Sequence, residues 1–337
     1  MQVASNDKIF AAPLKVEDPA DCDFYHTMEV PGHGIMTGHW DLRGGVDDYL
    51  GKVAFAGQRV LEIGPASGFL TFEMEKRGAN VVSVEVTAEH GWDFVPYPAQ
   101  KLEEVFGPRA IVMERLKNSY WFGHAAHQSK AKIHYGDVYN LPAALGQFDI
   151  AVMGSVLLHC RDPLRIVEQC GKMARLLIIT DMFHPDLEGM PICRLLPAPQ
   201  NFIWHTWWQF STQFFTQFLA VMGFTTTSNL THQQYYLGKA NTLFTIVAQR
   251  SVLKAKWRML GASRFPVIAL WRSNMKKLLR QMIVGTSLEP LARKVHAAFT
   301  RERGAAHISN TRGKESPIRY ADSCDNETYP AGRLELR

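Results

Sequence analysis

Cysteine is scarce in this 337-residue chain. There are five, at Cys22, Cys160, Cys170, Cys193 and Cys324, and no two form a C-x-x-C pair. An odd number without paired spacing argues against a disulfide framework or a zinc site and for a reducing compartment. No window holds 18 uninterrupted apolar residues, so no transmembrane helix is expected. The N-terminus lacks the basic-then-apolar pattern of a signal segment. These absences together predict a cytoplasmic protein. There is no internal repeat. The histidines around 184–205 form no H-x-x-x-H and have no C-x-x-C nearby, so no metal site is expected.

What is present suits a soluble globular protein. Hydrophobic residues make up 46%, and the length allows an α/β domain of about 200 residues with additions. The net charge of +5 is uneven. Residues 251–303 hold twelve Lys/Arg and two Glu, a local charge of +10, which leaves 25 Lys/Arg against 30 Asp/Glu elsewhere.

Residues 52–181 alternate between strand and helix patterns. Expected strands are Arg59–Ile63, Asn80–Val86, Lys132–Tyr135, Phe148–Met153 and Arg175–Thr180. Strands separated by helices imply a mostly parallel sheet with right-handed crossovers. Asp162 before Pro163 is a helix start. Ser211 can cap a second helix, in which Phe215, Phe218, Leu219 and Met222 recur at helical spacing and Gly223 ends the run. Thr225–Leu230 and Leu243–Gln249 read as two closing strands. The chain therefore divides into an N-terminal arm or cap (1–50), a central α/β domain (51–250) with an irregular insert (182–210), a basic amphipathic extension (251–303) and a polar tail expected to be disordered (304–337). The arm segment FYHTMEVPGHGIMTGHWDLRG, from Phe24, is either a lid over a ligand or a cover for a sheet edge.

The most informative stretch is VLEIGPASG, residues 60–68. A strand ends in a carboxylate, a small-residue loop follows, and a helix begins. That arrangement aims backbone N–H groups at a ligand. The next strand ends in Glu85, which can accept from ribose hydroxyls. The dinucleotide pattern G-x-G-x-x-G fails because Ala66 separates Gly64 and Gly68. The segment resembles motif I of the class I S-adenosylmethionine-dependent methyltransferases, [DE]-x-G-x-G-x-G, with Glu62, Gly64 and Gly68 in place and Ala66 at the middle glycine.

That resemblance covers about residues 50–250. It implies a Rossmann-like α/β fold, with a mostly parallel seven-stranded sheet in the order 3-2-1-4-5-7-6 and helices on both faces. It also implies S-adenosyl-L-methionine as cofactor. Glu62 would orient the loop and face the methionine end. Gly64, Pro65, Ala66, Ser67 and Gly68 would approach the cofactor, and Glu85, with Val86, would meet the ribose. Asp137 and Val138, after the third strand, would meet the adenine, although Asp137 could equally be a turn cap. Gly154 closes the fourth strand. In the loop beyond it, His159 resembles the L-x-H histidine of small-molecule methyltransferases and the matching stretch of tRNA wobble-uridine carboxymethyltransferases. It is the catalytic candidate, as general base, with a pocket-wall or helix-cap role as the alternative.

Trp40 and Arg43 (HWDLRG) resemble pocket residues of the carboxymethyltransferases, although Arg43 could instead anchor the arm. His205 and Trp207 in the insert could wall the acceptor, or WHTWW could only pack the insert. The expected acceptor is a small-molecule or glycan hydroxyl. A tRNA-modifying enzyme and a non-catalytic cofactor-binding partner are the rival readings. In 251–303, Ile268, Trp271, Met275, Leu278, Leu279 and Met282 share one face, away from most of the lysines and arginines. That face favours peripheral attachment to an anionic membrane, or docking on the acidic core or a second subunit, over nucleic acid. The oligomeric state is left open.

Overall fold

The computed structural model describes residues 9–86 and 93–250. All of these belong to one unit, Met1–Arg258. The expectations for 251–303 and 304–337 lie outside the described residues.

The arm forms a short hairpin, β1 (Met28–Val30) with β2 (Gly34–Met36), and then β3 (Trp40–Asp41) and a one-turn helix α1 (Val46–Tyr49). The repeating part follows: β4 (Arg59–Ile63), α2 (Phe69–Lys76), β5 (Asn80–Glu85), α3 (Ala99–Ala126), β6 (Lys132–Tyr135), β7 (Phe148–Gly154), α4 (Pro163–Met173) and β8 (Ala174–Met182). The insert contains a hairpin, β9 (Cys193–Leu195) with β10 (Trp208–Phe210), so it is less irregular than its prolines suggest. Helix α5 (Thr212–Val221) and the long strands β11 (Phe224–Tyr236) and β12 (Lys239–Arg250) complete the domain.

Caps fall where the sequence predicts them. The Asp162 side chain accepts from Arg165 N–H, with Pro163 opening α4. The Ser211 side chain accepts from Phe214 N–H at the start of α5.

The main sheet runs β3-β11-β12-β8-β7-β4-β5-β6. Strands β6, β5, β4, β7 and β8 are parallel, and β12, β11 and β3 are antiparallel additions. Without β3 this is the order 3-2-1-4-5-7-6. The expectation of seven strands is corrected to eight, because two residues of the arm pair with the far end of β11 at Tyr235 and Tyr236. That pairing is available because β11 and β12 are longer than their apolar cores. They continue as a ribbon to a tight turn at Leu237 and Gly238, both with positive φ.

Alternate strand residues serve two cores, one on each sheet face. On one face Leu61, Ile63, Ala151, Met153, Leu177 and Ile179 pack against Ile166, Val167 and Cys170 of α4 and Phe215 and Leu219 of α5. On the other, Val60, Ile150, Val152 and Ile178 pack against α1 and α2 through Val46, Tyr49, Phe69, Leu70 and Met74, with Phe24 and Met28 of the arm. The arm is therefore part of the second core. Among the described residues, no helix is long and apolar enough to cross a membrane.

Candidate active site

In an open parallel sheet, ligands bind beyond the carboxyl ends of the strands, where the order reverses. Here the reversal falls between β4 and β7. The loops after β4, β6 and β7 and the end of β5 gather there, and with them the loop 64–68, Glu85, Asp137 and the turn carrying His159.

The loop after β4 is wound tightly. Gly64, Ala66 and Gly68 all have positive φ, at 73°, 50° and 88°. Ala66 thus holds the left-handed conformation that glycine adopts without strain. A Cβ on Gly68 would lie 2.7 Å from the Phe72 ring, so this glycine is needed for packing as well as for φ. Glu85 braces the loop, with its carboxylate accepting from Ala66 N–H at 3.2 Å and Val86 N–H at 2.9 Å. Burial raises the Glu85 pKa, and these backbone donors oppose the rise.

Glu62 is 1% exposed, and one of its oxygens accepts from Thr71 at 2.5 Å and Ser83 at 2.8 Å. It therefore ties α2 to β4 and β5 from beneath the loop. The other oxygen, Oε1, is buried without a hydrogen-bond partner, and burial pushes the pKa up to about 7. Gly154 is covered by Tyr49, whose hydroxyl donates to Ser155 at 3.0 Å; a Cβ at 154 would lie 2.9 Å from the tyrosine ring.

Asp137 caps the turn that follows β6. Its carboxylate accepts from Tyr139 N–H at 2.8 Å and from the Asn140 amide. Val138 beside it is buried in the core.

His159 sits on a single turn, Leu157–His159, and its Nδ1 lies 2.6 Å from the His205 carbonyl. Burial, helped by the neighbouring His205, lowers its pKa to about 4. His205 is likewise pushed down to about 4 by burial and by the charge of Arg109. The insert docks on this turn through Trp207 N–H, which donates to the Leu158 carbonyl at 2.8 Å. The Trp207 indole donates to the Asp93 carbonyl at 2.5 Å, and its ring lies 5.0 Å from the Arg161 guanidinium. Asp93 in turn accepts from Arg161 N–H at 2.8 Å and from the Tyr139 hydroxyl. His205 and Trp207 thus stand next to His159.

Trp40 and Arg43 do not join this group. Trp40 packs on Tyr236 with ring centres 5.0 Å apart, at the β3 edge of the sheet. Arg43 is exposed and chelates Asp41 at 2.7 and 2.9 Å. Trp40 holds the arm to the β11 ribbon, while Arg43 braces Asp41 within the arm.

Three residues that sequence reasoning missed belong to the site. Arg109 lies on the inward stripe of α3, at helical spacing between Leu102, Val105, Val112 and Leu116. Burial lowers its pKa to about 10, and its charge acts on Glu85 and Tyr25. A cation in an otherwise apolar helical stripe was the available signal. Asp181 lies near the end of β8 and is 2% exposed; one oxygen accepts from Met182 N–H at 2.8 Å, and the other, Oδ2, is buried without a hydrogen-bond partner. It follows an apolar strand just as Glu62 and Glu85 do, and that pattern was legible. His26 of the arm lies against the loop, with its backbone N–H donating to Ser67 Oγ at 3.1 Å. Among the described residues, no cluster of three His, Cys, Asp or Glu side chains is placed to hold a metal ion.

The strand order and the loop at its reversal define the class I methyltransferase fold. By fold the chain is Rossmann-like α/β, with the strand order 3-2-1-4-5-7-6 extended by β3. No family model matches it. A ubiquinone biosynthesis O-methyltransferase of Psychrobacter cryohalolentis is 25% identical over 122 residues, 36% of this chain and 38% of that protein. Its counterpart in Psychrobacter arcticus matches to the same extent. The chain thus spans about two fifths of the length of the curated relatives it matches. Among solved structures, magnesium protoporphyrin IX methyltransferase of Synechocystis PCC 6803, with S-adenosylhomocysteine bound, is 15% identical. The match covers 62% of this chain and 82% of that one, with a TM-score of 0.40. An S-adenosylmethionine-dependent methyltransferase of Aquifex aeolicus gives 15% identity, 63% and 91% coverage, and a TM-score of 0.39. One of Methanosarcina mazei gives 16%, 60% and 96%, and 0.39.

Proposed function

We propose that this protein is an S-adenosylmethionine-dependent methyltransferase acting on the hydroxyl of a small molecule or glycan. The observation that carries the reading is the convergence of the 64–68 loop, Glu85, Asp137 and His159 beyond the strand ends where the sheet order reverses.

The donor set fits the cofactor. Glu85 is a carboxylate already steadied by two backbone donors, with acceptor capacity left for a ribose diol. The loop supplies close backbone approach at Gly64 and a helix N-terminus at α2. Asp137 and Val138, in the turn after β6, are the candidate adenine-side residues. When bound, S-adenosylmethionine supplies a methyl group made electrophilic by its sulfonium. The protein's main contribution is then alignment of the acceptor oxygen with that methyl.

His159 has a defined proton inventory. Its Nδ1 faces a carbonyl, which can only accept, so the ring proton sits on Nδ1 and Nε2 is the basic nitrogen. The imidazole is neutral at neutral pH. It can accept a hydrogen bond from the acceptor hydroxyl and take its proton as the methyl arrives. His205 and Trp207, on the insert that docks beside it, are the candidate acceptor wall. The curated relatives' printed name, O-methyltransferase, is consistent with an oxygen acceptor.

The test is formation of S-adenosylhomocysteine from S-adenosylmethionine with panels of phenols, glycosides and, in a separate arm, tRNA. Turnover with a phenol or sugar supports the reading. Turnover with tRNA alone replaces it with an RNA-modifying enzyme. Cofactor binding with no turnover on any panel favours a non-catalytic role.

A further inference from the structure

The arm carries a buried polar group that the fold does not use. His26 is 7% exposed, and its Nδ1 is buried with no hydrogen-bond partner. Leaving a polar nitrogen in that condition costs free energy, and native structures seldom tolerate it without a reason.

The position of His26 is specified from several sides. Its backbone N–H donates to Ser67 Oγ in the loop after β4. Its ring lies 5.9 Å from that of Phe69, the first residue of α2. On the opposite side the arm folds back on itself so closely that a Cβ on Gly38 would lie 2.4 Å from the His26 carbonyl carbon. Trp40 forms a bridge beside it, and Trp40 is anchored in turn by Tyr236 of the β11 ribbon. Sheet pairing at the far edge thus holds one imidazole against the loop. Helix α2 starts at that point after Gly68, which provides no side-chain cap. Its first-turn N–H groups and the positive end of its dipole favour an anion. Ser67 Oγ accepts from His26 N–H, so its own hydroxyl proton remains to be donated.

We propose that His26 is a cofactor-binding residue, donating from its ring nitrogen to the carboxylate of the amino-acid end of the bound cofactor at the start of α2. The inference rests on the methyltransferase reading. It makes the arm one wall of the cofactor site as well as a cover for the sheet edge. A neutral imidazole suits the task, because burial holds this histidine unprotonated, with a pKa of about 3. Its one N–H can then be fixed on the ligand.

Calorimetric titration of the full chain with two probes tests this. S-adenosylhomocysteine carries the amino-acid carboxylate, whereas 5′-methylthioadenosine carries the same nucleoside without it. His26→Ala should weaken S-adenosylhomocysteine about tenfold or more and leave methylthioadenosine affinity unchanged, which also proves that the variant is folded. His26→Asn, which can place an amide N–H near the Nδ1 position, should recover most of the loss. Equal weakening of both probes, or of neither, overturns the proposal. If the wild-type protein binds neither probe, the cofactor reading itself fails.

Discussion

The Nδ1 of His159 lies 2.6 Å from the carbonyl oxygen of His205, so a residue of the insert sets the tautomer of the candidate base. The contact also places a peptide carbonyl from the insert directly behind the imidazole. Replacement by glutamine keeps a polar side chain but removes the basic nitrogen. His159→Gln should lower turnover by about a hundredfold or more, within the usual range for a lost general base. Affinity for S-adenosylhomocysteine should stay the same. Normal turnover in the variant would remove His159 from the mechanism.

The same residue predicts a pH profile. With its pKa near 4, His159 loses function only as pH falls through that value. Turnover should therefore be level from about pH 8 down to about pH 5 and fall below that. A decline centred near pH 6.5, the ordinary histidine value, would mean that the imidazole is not held neutral as burial requires.

Ala66 predicts a stability effect. Its φ of 50° costs about 1–2 kcal/mol in an L-residue. Glycine relieves this but makes the unfolded chain more flexible, at about 0.4–1 kcal/mol. Ala66→Gly should therefore stabilise the protein by roughly 0.5–1 kcal/mol, seen as a rise of a few degrees in Tm. A lower Tm would show that the alanine methyl contributes packing that outweighs the strain.

Asp181 predicts a pH-dependent one. Burial raises its folded pKa to about 7 from an ordinary value of 3.8. Between those values the folded state binds the proton that the unfolded state has released. The stability linked to this proton is full below about pH 4 and is lost as pH rises through 7. Asp181→Asn has no such proton, so the variant should gain on the wild type steadily from pH 4 to pH 8 in denaturant titrations. A pH-independent difference would mean that Asp181 ionises normally.

The basic amphipathic stretch 251–303 predicts membrane attachment. The full chain should sediment with vesicles containing anionic lipid, and salt should release it. Failure to bind anionic vesicles rules the idea out.

The parallel half of the sheet was legible because each strand is an apolar run bounded by turn residues. Arg59–Ile63 and Lys132–Tyr135 match residue for residue. The ribbon end of β11 was not legible, because its inward positions are polar. His232 and Gln234 are buried by bonding to Thr245 and to the Gly45 carbonyl, and such satisfied polar residues conceal the strand period. The loop and its acids could be read from local order. Arg109 and Asp181 left local signals, a cation in an apolar stripe and an acid closing an apolar run, but only tertiary packing brings α3, the end of β8 and the arm with His26 to one place. Trp40 packs on Tyr236 across the sheet edge, and Arg43 pairs with Asp41 two residues before it.

The measurement that bears most directly on the cofactor site is calorimetric titration of the wild-type chain and of Glu85→Ala with S-adenosylhomocysteine. Micromolar binding by the wild type, weakened beyond detection in the variant, is the predicted result, because Glu85 steadies Ala66 and, in the proposed site, would accept from the ribose. No binding by well-folded wild-type protein would contradict the assignment of this site.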